Sequence, residues 1–248
     1  GMRRGKLWVI AGGISDGKSS LALQMCLSAA AAGHPGNIYS LEMSKDELWQ
    51  RSACQDSRVR SQVWQGRGMN PRDIDGIQAA IKKTYPLKLY DELDTITEIV
   101  ASIRLEKARR GIRWAMLDYL QLVEGDKKNG REREVGGMSQ ALKRLALHLD
   151  IPIIILSQLN DDGKLKESRA IGADADHVLV IKTEEDDDRR ILSIAKNRGG
   201  PRNRRCHYEF QGEHFLFTEG NEISGSPPKP QEPARKQSKH YRPTTNEH

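Results

Sequence analysis

Apolar runs of strand length alternate with longer polar stretches rich in helix formers through most of the chain. The first run, KLWVIA at 6–11, is followed by a helical pattern over 20–32 that stops at Gly33, a natural C-cap. A second strand pattern covers 37–42, and Ser44 with Glu47 forms a capping box opening the next helix. Residues 52–85 are polar and helical, with breaks at Gly66, Gly68 and Pro71. Thr95 and Glu98 make another capping box, for a helix reaching about Arg110 and ending at Gly111. Strand patterns follow at 113–118 and 151–157, around a helix at 135–150. Two more occupy 176–182 and 190–196, joined by an acidic turn at 184–188. The runs 206–210 and 213–217 flank Gln211 and Gly212 as a closing hairpin. Strands alternating with helices predict an α/β fold: a mostly parallel central sheet flanked by helices, with a C-terminal β-hairpin.

From Gly220 onward the chain turns to Ser, Pro, Lys and Gln with almost no aliphatic residues. Such a segment buries too little surface to offset its ordering entropy. One domain over 1–219 and a disordered basic tail over 220–248 are therefore expected.

Between the first strand and the first helix stands GGISDGKSS: Gly12, Gly13, Ile14, Ser15, Asp16, Gly17, Lys18, Ser19 and Ser20. Gly12, Gly17, Lys18 and Ser19 fit G-x-x-x-x-G-K-[ST], and the flanking strand and helix supply the context this pattern requires. A plain Gly-rich turn is the alternative. The functional reading has a mechanism: backbone N–H groups and a helix N-terminus hold phosphates, Lys18 reaches the β- and γ-oxygens, and the Ser19 hydroxyl ligates Mg²⁺. A nucleotide site follows, with ATP and Mg²⁺ as its cofactors.

Phosphoryl transfer needs positioned charge more than covalent chemistry. Glu42, Asp118 and Gln158 each close an apolar run, and Lys196 and Arg198 follow a later one, all expected at the strand ends that carry the phosphate loop. Asp118 in that place would hold Mg²⁺ directly or through water, Glu42 would polarise an attacking water, and Gln158 would bond the γ-phosphate. Each has a structural alternative: helix support for Glu42, a loop cap for Asp118, a satisfied amide for Gln158, a solvated face for the two cations.

Composition narrows the class. In 248 residues, 37% are hydrophobic and 30% charged, as in a soluble protein with a modest core. The cysteines, Cys26, Cys54 and Cys206, are too far apart for a metal or redox motif, and no apolar stretch nears the length of a membrane span. A cytoplasmic setting is expected. The net charge of +6 points to a polyanionic partner. Gly1 before Met2 reads as a tag scar.

The stretches SLEMSKDELWQR, MLDYLQLV, ILSQLN and AKNRGGP resemble, in order, the successive motifs of DnaB-type replicative DNA helicases. The resemblance runs from about residue 6 to 217. It implies a RecA-like P-loop NTPase core assembled as a hexameric ring, with ATP hydrolysed between subunits and translocation 5′ to 3′ on single-stranded DNA. By it, Lys18 and Ser19 are the P-loop pair, Glu42 the catalytic base, Asp118 the Walker-B acid and Gln158 the γ-phosphate sensor. Lys196 and Arg198 act in trans on the neighbour's nucleotide, Arg198 as the arginine finger. The DNA-gripping loop of the family corresponds to 165–176, with Lys166, Glu167 and Arg169, where lysine replaces the family's arginine and Arg169 its glycine. A second, Gly-rich loop at 124–137 carries Lys127, Lys128, Arg131 and Arg133 and reads equally as an exposed loop. Neither holds an aromatic residue, so contacts to the phosphate backbone should dominate. The family's N-terminal domain and linker helix have no counterpart in this sequence, as in a compact viral, plasmid or truncated form, and loader and primase partners are not identifiable. A DNA-stimulated ATPase without unwinding (a loader or recombination accessory) and a slow nucleotide-dependent assembly module are the competing readings.

Overall fold

The computed structural model describes residues 2–118, 120, 123, 130–160, 169–184, 189–202 and 204–223. In chain order these form β1 (Leu7–Gly12), α1 (Lys18–Ala31), β2 (Gly36–Ser40), α2 (Lys45–Ser57), the single turn α3 (Ser61–Trp64), α4 (Pro71–Ile81), β3 (Leu87–Tyr90) and α5 (Ile96–Arg110). Then come β4 (Trp114–Asp118), α6 (Arg131–Leu149), β5 (Ile153–Gln158), α7 (Arg169–Asp174), β6 (His177–Thr183), β7 (Arg189–Asn197), β8 (Arg205–Gln211) and β9 (Leu216–Ile223).

All nine strands share one sheet in the order β3-β2-β4-β5-β1-β6-β7-β8-β9. From β3 to β6 neighbours are parallel; β7, β8 and β9 add antiparallel pairs. The parallel strands are buried on both faces, so β5 reads as a continuous apolar run, Ile153 to Leu156. One face packs against α5, α6 and α7 through residues such as Ile99, Ile103, Leu142 and Ile171. The other packs against α1 and α2 through Leu23, Leu27, Leu48 and Trp114, so the sheet lies between two helical layers. No helix among the described residues is long and apolar enough to cross a membrane.

Both expected capping boxes are present, Ser44 with Glu47 on α2 and Thr95 with Glu98 on α5, and Gly111 ends α5 in the left-handed region at φ 63°. Three boundaries differ from the sequence reading. β3 lies in a stretch with no strand expected; its pattern is only Leu87-Lys-Leu-Tyr90, too short for period-two alternation to stand out. α6 begins at Arg131 rather than 135, so Arg131 and Arg133 lie on a helix and not in a loop. Gly136 and Gly137 argue against helix by propensity, but Val135, Met138, Leu142 and Leu145 recur on one buried face and override it. The hairpin also closes through a 3₁₀ turn at Gly212–His214 before β9, which continues through Gly220 to Ile223. Residues 224–248 of the expected tail lie outside the described residues.

Two glycines test the packing in opposite directions. A Cβ on Gly36 would overlap the Trp114 ring. Gly137, inside α6, has open space around its Cβ position. Gly36→Ala is expected to destabilise by about 1–3 kcal/mol or more through overpacking. Gly137→Ala should stabilise by about 0.5–1 kcal/mol through helix propensity. Thermal melts of the two variants check the signs, and a rise in Tm for Gly36→Ala contradicts the placement of Trp114.

Candidate nucleotide site

β1 is the middle strand of the nine-stranded sheet, and its carboxyl end opens into the loop at 13–17. Gly17 turns the chain into α1 at φ 90°, a left-handed conformation, and a Cβ there would come 2.8 Å from Phe217. Ser15 also has a positive φ of 63°. α1 starts with no side-chain cap and no acid in its first turn, so the positive end of its dipole is left for an anion. Asp16 braces the loop: its carboxylate accepts from the Gly13 N–H at 2.5 Å and from the Thr183 hydroxyl at 2.6 Å. The Lys18 ammonium donates to the Gly13 carbonyl at 2.5 Å. Burial draws the Lys18 pKa below its ordinary value, against the charges of Asp16, Asp118 and Glu42. Those opposing carboxylates show how close the acids expected from sequence come to the loop.

The parallel register explains why they meet. Gly12 pairs with Gln158 across β1 and β5, and Ser40 pairs with Asp118 across β2 and β4. The edge therefore presents, side by side, Glu42 in the bend after β2, Asp118 ending β4, Gln158 ending β5 and the loop after β1. The Leu41 N–H donates to the Asp118 carbonyl at 2.8 Å, which fixes the bend that carries Glu42. A cavity of about 320 Å³ opens here, lined by Lys18, Ser19, Glu42 and Gln158 among others.

Asp118 is fully buried, and neither of its carboxylate oxygens has a hydrogen-bond partner. Burial pushes its pKa up to about 6; the nearby Ser19 hydroxyl and Lys18 ammonium pull it back, and the Glu42 charge adds to the rise. An unpaired buried carboxylate facing a serine hydroxyl suits a hard divalent cation. Among the described residues no group of three or more His, Cys, Asp or Glu could hold a metal. Mg²⁺ needs only one or two protein oxygens, completing its shell with water and phosphate, and Asp118 with Ser19 can supply them.

Arg51, Phe210 and Phe215 also line the cavity, and sequence reasoning assigns them no role. Arg51 stacks over the Phe215 ring at 4.8 Å. Gln55, one turn further along α2, donates to the carbonyls of Ser20 and Phe215 at 3.0 and 2.7 Å, which ties the β8–β9 turn to α1. A local signal exists for Arg51: it follows the capping Ser44 by two helical turns and so shares its face. The aromatics arrive from a distant hairpin, beyond the reach of any local pattern.

Lys196 and Arg198 stand elsewhere. β7 is antiparallel to β6, so its carboxyl end lies at the opposite edge of the sheet, where Asn197 pairs with His177 and His177 with Trp8. Four residue steps along β1, from Trp8 to Gly12, separate that row from the phosphate loop, about 13 Å along the strand. The expectation that both cations share the strand ends of the phosphate loop is therefore corrected: it treated β7 as parallel. Burial and the neighbouring Arg198 charge lower the Lys196 pKa. Arg131 pairs with Glu134 at 2.7 Å, and Arg133 is exposed on α6. Lys166 and Glu167 lie outside the described residues, as does the side chain of Arg169, whose backbone begins α7.

Residues 1–219 match the family described as DnaB-like helicase C terminal domain. The chain is 33% identical over 243 residues to the replicative DNA helicase DnaB of Leifsonia xyli, covering 88% of this chain and 53% of that protein. Among solved structures it resembles one described as a DnaB-like replicative helicase and its interactions with primase, with a TM-score of 0.81 at 27% identity, covering 88% of this chain and 58% of that one. A second, described as an ATPase domain, also superposes with a TM-score of 0.81, at 26% identity over 88% of this chain and 85% of that one. The chain spans about half the length of the curated relatives it matches.

The Asp118 carboxyl titrates near 6 when folded and near 3.8 as a free side chain, so the nucleotide-free protein loses stability as pH rises through that window. Above it the cost is constant, at most about 3 kcal/mol. Asp118→Asn is expected to raise Tm by several degrees at pH 7.5 and by almost nothing near pH 4. Equal shifts at both pH values contradict the buried, unpaired state of this carboxylate.

Proposed function

This chain belongs to the DnaB-like helicase C-terminal domain family, and on that footing we propose that it is an ATP-driven motor that moves along single-stranded DNA and separates duplex ahead of it. The observation that carries the reading is the single edge on which Lys18, Ser19, Glu42 and Gln158 line one cavity, with the buried Asp118 carboxylate beside Ser19 left for a cation.

In this reading the loop N–H groups and the N-terminus of α1 take the β-phosphate, and Lys18 spans the β- and γ-oxygens. Ser19 and Asp118 would hold Mg²⁺, which would supply positive charge against the transferred phosphoryl group. Glu42, exposed at the cavity, accepts the proton of the attacking water. Gln158 bonds the γ-phosphate and reports its departure. Arg51 adds a second cation to the cavity lining.

Lys196 and Arg198, on the opposite edge, then serve a neighbour's nucleotide in a ring of identical subunits, with Arg198 as the finger, by resemblance to the family. Single-stranded DNA meets Lys166, Glu167 and Arg169, with Arg131 and Arg133 on the first turn of α6 as a second contact. Contacts of this kind read phosphates rather than bases.

Two outcomes test the chemistry. Lys18→Ala should abolish ATP turnover, whereas Glu42→Gln should bind ATP normally and lose hydrolysis. Near-native hydrolysis by Glu42→Gln removes Glu42 from the role of base. Neutralising Lys166 and Arg169 together should weaken binding to all single-stranded sequences alike, with the slope of log K against log salt falling by roughly 0.7 per lost contact. An unchanged slope means that these residues do not face DNA. Strand displacement on a forked duplex separates the motor from an ATPase that binds DNA without unwinding: ATP hydrolysis with no displaced strand leaves only the latter.

A further inference from the structure

Lys196 and Arg198 do not hang free at the end of β7. The Lys196 ammonium donates to the carbonyls of Gly172 and Ala173 at 2.7 and 2.8 Å, and the Arg198 guanidinium donates to the Ala173 carbonyl at 3.2 Å. These carbonyls belong to the last turn of α7, the negative end of its backbone dipoles. Arg198 is also fixed from below: its N–H donates to the Asp176 carbonyl at 2.9 Å, and its guanidinium stands 3.9 Å from the Asp176 carboxylate. Its side chain is nonetheless 54% exposed.

Asp176 is the fixed point of this arrangement. It is 2% exposed, and its carboxylate accepts from the Lys143 ammonium of α6 and from the Leu7 N–H of β1 at 2.9 Å, with the Lys6 ammonium at 3.7 Å. The last turn of α7 is held as well: the Ser139 hydroxyl donates to Asp174 at 2.6 Å, and Ile171 is fully buried. A buried acid with this many donors is more than one exposed arginine requires.

We propose that Asp176 and the C-terminal carbonyls of α7 form a seat that sets the position of the Lys196–Arg198 pair toward the neighbouring subunit's nucleotide. This rests on the shared-site reading given above. The seat makes α7 one rigid step between Arg169, where the helix begins, and the finger pair at its other end. Displacement of the helix moves the pair, so Asp176 is a positioning residue: it acts on the reaction through Arg198 without touching nucleotide.

Misplacing a catalytic group by about 1 Å costs on the order of 10² in rate. Asp176→Asn is therefore expected to lower kcat for ATP by roughly that factor, with KM for ATP and affinity for single-stranded DNA unchanged. Mixing identifies which half of the site has failed. Lys18→Ala subunits keep a sound finger, so mixed in equal amounts with Asp176→Asn they should restore activity at about a quarter of the interfaces of a closed ring. Arg198→Ala subunits mixed with Asp176→Asn should restore none. Ser139→Ala, which removes only the bond onto Asp174, should show a weaker form of the same pattern and serves where Asp176→Asn does not fold. Rescue by Arg198→Ala, or by neither partner, overturns the seat. Lys18→Ala mixed with Arg198→Ala is the reference: if it recovers activity while Asp176→Asn with Lys18→Ala does not, the seat alone is wrong. If the reference mixture stays inactive in confirmed mixed oligomers, the shared site and the seat fall together.

Discussion

Six strands, β3 through β6 in sheet order, run the same way, so their carboxyl ends lie along one edge; β7 turns back and carries its own carboxyl end to the other. Strand direction alone thus divides the charged groups of this protein into two sets. The phosphate loop, Glu42, Asp118 and Gln158 gather on the first edge because β1, β5, β4 and β2 are adjacent and parallel. Lys196 and Arg198 stand on the second because one reversal separates them from it. A single subunit cannot bring the two sets to one nucleotide without dismantling the sheet, and a neighbour presenting its second edge to this subunit's first edge can.

Within the first edge, the least favourable group is Asp118. Its burial without a partner costs folding free energy above pH 6. Stability is spent there on a group that a cation beside Ser19 would satisfy. The β8–β9 hairpin closes the same region from above: Phe217 presses on Gly17, Gln24 bonds both the N–H and the carbonyl of Phe217, and Gln55 holds Phe215. The last strands therefore shape the loop formed by the first, a long-range dependence within the fold.

The parallel core and the first edge are legible in the sequence because each signal there is local. Lys18 follows a strand and opens a helix, Glu42 precedes a capping box, and Asp118 closes an apolar run. What sequence misplaces depends on pairing. The turn joining 176–182 to 190–196 is too short for a parallel crossover and so already implies an antiparallel pair, a constraint that the placement of Lys196 and Arg198 in the sequence reading left unused. Arg51 and the hairpin aromatics join the site through tertiary contact, and the first turn of α6, Arg131 to Glu134, is all charged, with no apolar position to mark it as helix.

In the proposed ring, hydrolysis belongs to an interface between subunits and not to one chain. ATPase rate per subunit, measured over a range of protein concentration alongside mass by light scattering, tests it most directly. The account predicts that turnover per subunit follows the assembled fraction and falls almost to nothing in the monomer, since a missing arginine finger costs roughly 10³–10⁵ in rate. Full turnover by confirmed monomers would contradict it.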